Sequence, residues 1–322
     1  MQHKLLSLCI DTSAGSNRLA ECLDSVVIVP TANLLDVLLL VSEQNETALS
    51  IAGDYSRRYP DLIRIECADG QKTFIEQSAE LALGKYIRPI GSDCIVEPSD
   101  MDAMLRFLSD CDDDIVIHGC TIVDDSTGVK EGYSAPLGLV GRGMSVEAAA
   151  PMMCDAPSQS AVVKTEIVRR SDSVDCWRND YSAFFINGLM QAVTVGGVDA
   201  DLCHFTAPVS LVQSDAEQLE QVIFNLIDLL GAYASLADSK APSVNCIAHR
   251  IAHLSVARLG LLLSLECDSR VQDRIYAFFG KLRRANKRVY DRFIADKYAK
   301  KLRWGKFMYR PVVKLYQKRI VK

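Results

Sequence analysis

The sequence lacks the patterns that mark a zinc protein or a disulfide scaffold. Its 11 cysteines include no CxxC pair and no Cys/His ligand spacing, and the chain has 5 histidines. Thiols scattered in this way read as reduced core filler in a cytosol, and a zinc site is not expected. His249 and His253 stand at i, i+4, but no third ligand is near them in sequence and Arg250 and Arg258 flank them. They read as polar positions on an amphipathic helix. A signal peptide is not expected either. Met1–Lys4 leads into Leu5–Ile10, an apolar run too short for one and without a cleavage pattern. Long uninterrupted hydrophobic runs are also missing. Gln218–Leu236 and Cys246–Glu266 are apolar enough for a helical hairpin, yet charge or polarity interrupts both, so neither reads as a membrane span.

Acids are scarce in one place. Lys281–Lys322 holds 16 Lys+Arg against two acids, Asp291 and Asp296, a local charge of +14. The other 280 residues carry 20 Lys+Arg and 39 Asp+Glu, a charge of −19. An acidic body with a basic end points to an anionic partner for that end: membrane lipid, nucleic acid or a polyanion. The remaining composition, 49% hydrophobic and 24% charged, is that of an ordinary globular chain. A length of 322 residues suffices for one large α/β domain with an appendage, or for two domains.

Leu5–Ile10 and Asp36–Val41 are continuous apolar strands, each followed by a polar segment, Asp11–Gly15 and Ser42–Glu46. Ile63–Glu66, Tyr86–Ile90 and Asp114–His118 read as further strands. Helical spacing covers Asn17–Val26, with Ser16 or Asn17 as its cap, then Thr47–Tyr59, Gln77–Leu83 and Met101–Leu108. Apolar strands alternating with helices predict a mainly parallel sheet covered on both faces. Ligands of such sheets sit at the carboxyl ends of the strands. The loops Asp11–Gly15, Ser42–Glu46 and Gly91–Cys94 are therefore expected to line one crevice.

Gly84–Pro98, reading GKYIRPIGSDCIVEP, resembles the glycosyltransferase family 2 segment GEYI-x-x-x-DSDD-x-x-x-P. Gly91 stands where that family has its first acid, Asp93 keeps the second, and Cys94 replaces the third. The resemblance runs in order along about 210 residues. LLSLCIDTSA answers to SIIIPTYN, NRLAECLDSVV to L-x-x-CLDSLL, and DVLLLVSEQNETALSIAGDY to EIIVVDDGSTDGT-x-x-IA-x-x-Y. RRYPDLIRI, DDDIVIHG and the stretch Leu202–Ser210 have counterparts too, and Trp177–Tyr181 falls at the family's ED pair.

That resemblance implies a GT-A nucleotide-sugar domain over residues 1–212 and a helical region over 213–322. It implies an inverting transfer from a nucleoside-diphosphate sugar to a surface glycan, carried on a lipid. Asp93 is the expected ligand of Mn2+ or Mg2+. Asp180 is the expected general base, with Asp175 as a nearby competitor. Thr12, Ser42, Glu46, Ser92 and Asp93 are the expected donor-binding residues. Val41 and Ser42 stand where the family has its aspartates, and Ile75 and Glu76 where it has its RN pair. A second reading stays open: a member without catalysis, assembling with an active partner. An isolated aspartate on a turn, or a carboxylate at a helix start, is equally what Asp93 and Asp180 would be in a protein with neither function.

Over Lys281–Lys322, Tyr290, Phe293, Ile294, Tyr298 and Leu302 recur at helical spacing among Lys and Arg, and Val312, Val313, Tyr316 and Ile320 repeat the pattern. Such a stripe suits an anionic bilayer surface, and equally suits docking onto the protein itself. No recognised nucleic-acid module accompanies the charge. The expectation is a cytoplasmic protein held at the inner face of the cell membrane.

Overall fold

The structure is a computed structural model and describes residues 4–13, 17–124, 130–170, 181–207, 213–265 and 267–320. The chain divides into two compact units, Met1–Val209 and Ser210–Lys322.

In the first unit the chain runs β1 (Leu6–Asp11), α1 (Leu19–Val27), β2 (Leu35–Val41), α2 (Glu46–Arg58), β3 (Ile63–Cys67) and α3 (Phe74–Leu81). It continues through β4 (Tyr86–Gly91), β5 (Ile95–Val96), α4 (Pro98–Asp110), β6 (Ile115–Asp124) and β7 (Lys130–Tyr133). Then come β8 (Met144–Ser145), α5 (Val146–Met153), β9 (Ala161–Lys164), α6 (Thr165–Arg169), α7 (Tyr181–Gln191) and β10 (Thr194–Ala207). One sheet takes all ten strands in the order β3-β2-β1-β4-β9-β6-β10-β5, with β7 beside β6 and β8 beside β10. The ladders of β1 with β2 and β4, of β2 with β3, and of β6 with β10 are parallel. β9 is antiparallel to both β4 and β6, so β6 and β10 run in the same direction as β1–β4. The sheet is mainly parallel, as its apolar strands predict.

The central strands are buried on both faces. Leu6, Leu8 and Ile10 of β1 and Val37, Leu39 and Val41 of β2 share one fully covered face with α1, α2 and α4. β10 has no counterpart among the apolar strands expected from sequence, because Gly196, Gly197, Asp199 and Asp201 interrupt it and its pairing with β6 shifts register twice. β6 extends past His118 because β7 turns back upon it. The start of α1 also differs: its cap position is Arg18 rather than Asn17, with no side chain capping it.

The amino edge of the sheet is tied by polar bonds. Ser7 Oγ donates to Asp36 Oδ2 at 2.6 Å, and Arg64 Nε and Nη2 donate to the two Asp36 oxygens at 2.8 and 3.0 Å. The N–H groups of Leu83 and Gly84 reach the same cluster, at 3.0 Å to Asp36 and 2.8 Å to Ser7. Burial alone would raise the Asp36 carboxyl, but the bonds from Arg64, Ser7 and Leu83 outweigh it and hold the group below its ordinary value. Gly84 is required by this approach: a Cβ there would meet the backbone nitrogen of Ser7 and lie 2.6 Å from the Leu6 carbonyl carbon. Asp114 clamps the other half of the edge, accepting from Val193 N at 2.7 Å and pairing with Lys164 at 3.1 Å. These acids hold strand starts together, which leaves the carboxyl edge for chemistry.

The second unit contains α8 (Gln213–Leu236), α9 (Pro242–Ser264), α10 (Ser269–Ala285), α11 (Lys287–Phe293), α12 (Lys297–Leu302) and α13 (Tyr309–Ile320). α8 and α9 form the expected hairpin. Parts of both are long and apolar enough to cross a membrane, but 67% of the α9 segment is buried within the protein. α9 is the axis on which α8, α11 and α13 pack. Arg258 lies inside, over the Phe278 ring at 4.1 Å, and pairs with Glu220.

The basic segment takes the second of the two readings that its stripe allows. Phe293 and Leu302 are 0% exposed, Val312 and Val313 1%, and Tyr290 and Tyr298 under 10%. Phe293 meets Phe279 edge to face at 5.0 Å, and Tyr298 meets Tyr316 at 5.1 Å. The apolar stripe is the core of this unit and is not free for a bilayer, because its burial against α9 and α10 is what lets the unit fold.

Candidate functional site

Four strand ends build the carboxyl edge. After β1, Thr12 is 1% exposed and its hydroxyl donates to Leu40 O at 3.0 Å, so that side chain serves the sheet and leaves the backbone of this turn to face outward. The carboxylate of Asp11 accepts from Ser13 N at 2.8 Å, which shapes the turn. After β2, Ser42 Oγ bonds Gln44 Oε1 at 2.6 Å and receives Gln44 N at 3.3 Å, a compact serine turn. Asn45 caps α2 by accepting from Ala48 N at 3.0 Å, while its Nδ2 reaches Thr12 O at 3.5 Å. Glu46 is the first residue of α2 and exposed, where the helix dipole favours an acid.

The loop after β4 is joined directly to this assembly. Ser92 is buried and its N–H donates to Asp11 O at 3.0 Å, while Cys94 N closes the turn onto Gly91 O at 3.1 Å. Asp93 folds back over Gly91, so that a Cβ at position 91 would sit 2.5 Å from Asp93 Oδ1. The same point lies 3.8 Å from the hydroxyl of Tyr181, the first residue of α7. After β3, Ala68 N bonds Val41 O at 2.9 Å, and Gln77 receives Asp69 N at 2.9 Å, which brings Asp69 to the edge as well. Cys67 Sγ lies 3.5 Å from Glu43 Oε1.

Thr12, Ser42, Ser92 and Asp93 thus fall on loops at one edge of the sheet, and Glu46 on the first turn of the helix that starts there. Asp175 and Asp180 lie outside the described residues. Ile75 is buried and Glu76 closes a capping box with Thr73, accepting Thr73 N at 2.7 Å, so at those positions the helix start takes the side chains. Asn45 and Asp11 lie in segments expected at this edge but are not among the residues named for it, and Tyr181 is a third such residue. Asn45 carries the sequence signal of an N-cap just before a helix. Asp11 was read as part of a turn, and Tyr181 as the start of an apolar helix; neither announces its neighbour across the sheet.

The edge is rich in carboxylates: Asp11 ends β1, Glu46 begins α2, and Glu43, Asp69 and Asp93 stand on the loops after β2, β3 and β4. Deeper in the sheet Arg88 and His118 are buried, and burial followed by the Arg88 charge holds His118 well below the ordinary imidazole value. His118 is therefore neutral and lies away from the loops.

No family model and no curated protein matches the sequence. Solved structures do match in fold. S. aureus TarS 1–349 in complex with UDP-GlcNAc has a TM-score of 0.65 at 13% identity, covering 98% of this chain and 90% of that one. The same TarS region with UDP gives 0.63 at 14% identity over the same shares. The mannosyltransferase PcManGT from Pyrobaculum calidifontis, in complex with GDP-Man and Mn2+, gives 0.51 at 13% identity, with 98% and 88% covered. The fold is that of GT-A glycosyltransferase structures: a mostly parallel mixed sheet flanked by helices, followed by a helical C-terminal region.

Proposed function

We propose that this chain is an inverting glycosyltransferase that moves a sugar from a nucleoside-diphosphate sugar to a surface-glycan acceptor carried on a lipid. The reading is supported above all by one arrangement. On a GT-A sheet, the loops after β1, β2 and β4 are bonded into one carboxyl edge on which Asp93 and the Tyr181 hydroxyl flank Gly91. Two of the proteins similar in fold carry UDP-GlcNAc and GDP-Man, and one carries Mn2+.

The donor set fits a hard divalent cation, Mn2+ or Mg2+, which takes carboxylate oxygen and fills its other positions with phosphate and water. An edge of five carboxylates repels a bare diphosphate, and a bound cation would supply the neutralising charge. Asp93 would hold it. Asp180 would accept the proton of the acceptor hydroxyl as that oxygen bonds to the anomeric carbon, while the bond from that carbon to the diphosphate oxygen breaks on the opposite side. The result is inversion. The second unit would keep the enzyme at the inner face of the cell membrane, beside a lipid-linked acceptor.

Asp180→Asn separates chemistry from binding. Release of nucleoside diphosphate in the presence of acceptor should fall ~10²-fold or more while donor affinity stays unchanged. Full activity in that variant removes Asp180 as base. The alternative, a non-catalytic partner in glycan assembly, is favoured by Gly91 and Ser42 standing where acids belong in the resembled family. It predicts no nucleotide binding at all.

A further inference from the structure

With the apolar stripe buried, a different part of the second unit is left to meet a surface. Trp304 is 66% exposed and Phe307 73%, an unusual state for two large aromatic side chains three residues apart. They sit on the turn between α12 and α13. The turn is held in place: the Tyr276 hydroxyl lies 2.9 Å from Leu302 O and 2.6 Å from Gly305 O, and Gln272 Nε2 donates to Lys306 O at 2.7 Å. Lys306 pairs with Asp273 at 2.6 Å, so α10 supplies three anchors. Gly305 has φ 135°, a conformation that side chains rarely adopt, and this lets the chain reverse between the two rings. The aromatics are presented by a fixed loop.

Basic residues surround them. Lys300, Arg303 and Arg310 are exposed and, with Lys301, have no ion-pair partner among the described residues. Lys297–Lys322 contains no acid. The two rings together offer on the order of 300 Å², well short of the roughly 800 Å² per partner of a stable protein interface. A bilayer needs no such area, since inserted aromatics and nearby cations contribute residue by residue. Tryptophan in particular favours the headgroup level.

We propose that the Trp304–Phe307 turn is a docking surface for an anionic phospholipid bilayer, with both rings inserted among the headgroups and Lys300, Lys301, Arg303 and Arg310 on lipid phosphates. This rests on the membrane-surface part of the proposed function and assigns it to residues other than the buried stripe. The test uses the full chain with vesicles of phosphatidylcholine and phosphatidylglycerol in equal parts, and with pure phosphatidylcholine as control. The chain has 2 tryptophans, so a W177F background makes Trp304 the sole reporter. Its emission should shift to the blue with the mixed vesicles and barely move with the control. The W304A/F307A double variant of the natural chain should melt at the parent temperature, keep its nucleotide-sugar affinity, and bind mixed vesicles at least ~10-fold more weakly. Equal sedimentation of variant and parent, or no blue shift, overturns the proposal while leaving the transfer reading intact. A parent dimer that the double variant turns into a monomer would also overturn it, giving the surface to a second copy. Absence of nucleotide binding in the parent would instead sink the transfer reading and leave this one standing.

Discussion

Asp93 Oδ1 lies 2.5 Å from the point at which Gly91 would carry a Cβ. The glycine that replaces an expected acid therefore makes room for the remaining one. A side chain at 91 would press on the tip of the Asp93 side chain, which would have to turn aside.

Asp93→Ala tests the cation reading. Mn2+-dependent affinity for a nucleoside-diphosphate sugar should drop at least ~10-fold, with the melting temperature unchanged, since a turn carboxylate contributes little to stability. Gly91→Asp should weaken the same affinity rather than strengthen it. Calorimetry on both variants decides; wild-type affinity in Asp93→Ala ends its assignment as ligand.

Asp36→Asn should behave differently, losing about 1.5–3 kcal/mol of stability, because Arg64 loses its bonds to a buried carboxylate and keeps only Leu81 O and the longer pair with Glu66. The sign of the pH effect follows from the lowered carboxyl. Asp36 contributes stability above its unfolded pKa of about 3.9, and this is lost as pH falls through the lower folded value. Denaturant melts between neutral and acid pH should show a shallower acid decline in Asp36→Asn than in the parent.

Gly84→Ala should cost about 2–3 kcal/mol or prevent folding, because its Cβ would press on the backbone of Ser7 and Leu6. Expression and thermal melting check this directly. A variant as stable as the parent would mean that β1 shifts freely, against the bonds that tie it to β2 and β4.

Ending the chain after Gly280 should not yield a soluble, tail-free body. It deletes Phe293, Leu302, Val312 and Val313, all buried in the second unit. Circular dichroism should show loss of more helix than the deleted residues account for, with exposed apolar surface binding a hydrophobic dye. A truncated chain whose α8, α9 and α10 stay cooperatively folded would contradict this.

Much of the sheet was legible because burial on both faces leaves an unbroken apolar run, as in LLLV of β2. β10 was hidden by glycines and aspartates that its irregular pairing tolerates. The acids were harder. Asp36, Asp114 and Asp93 all adjoin apolar strands, yet the first two stand at strand starts and bond the scaffold, while the third follows a strand and stands at the carboxyl edge. Sequence order in a parallel sheet tells which edge an acid is on, but not which scaffold groups it bonds. The basic segment left two readings open for a related reason: an amphipathic stripe reads alike whether it covers a membrane or its own core.

The central claim is that the carboxyl edge binds a nucleoside-diphosphate sugar with a divalent cation. Calorimetric titration of the full chain with UDP-GlcNAc and GDP-Man, with and without Mn2+, tests it most directly. The account predicts binding of at least one donor that requires Mn2+ and disappears in Asp93→Ala. No binding of a wider donor panel in the presence of Mn2+, by a protein that melts cooperatively, would contradict it.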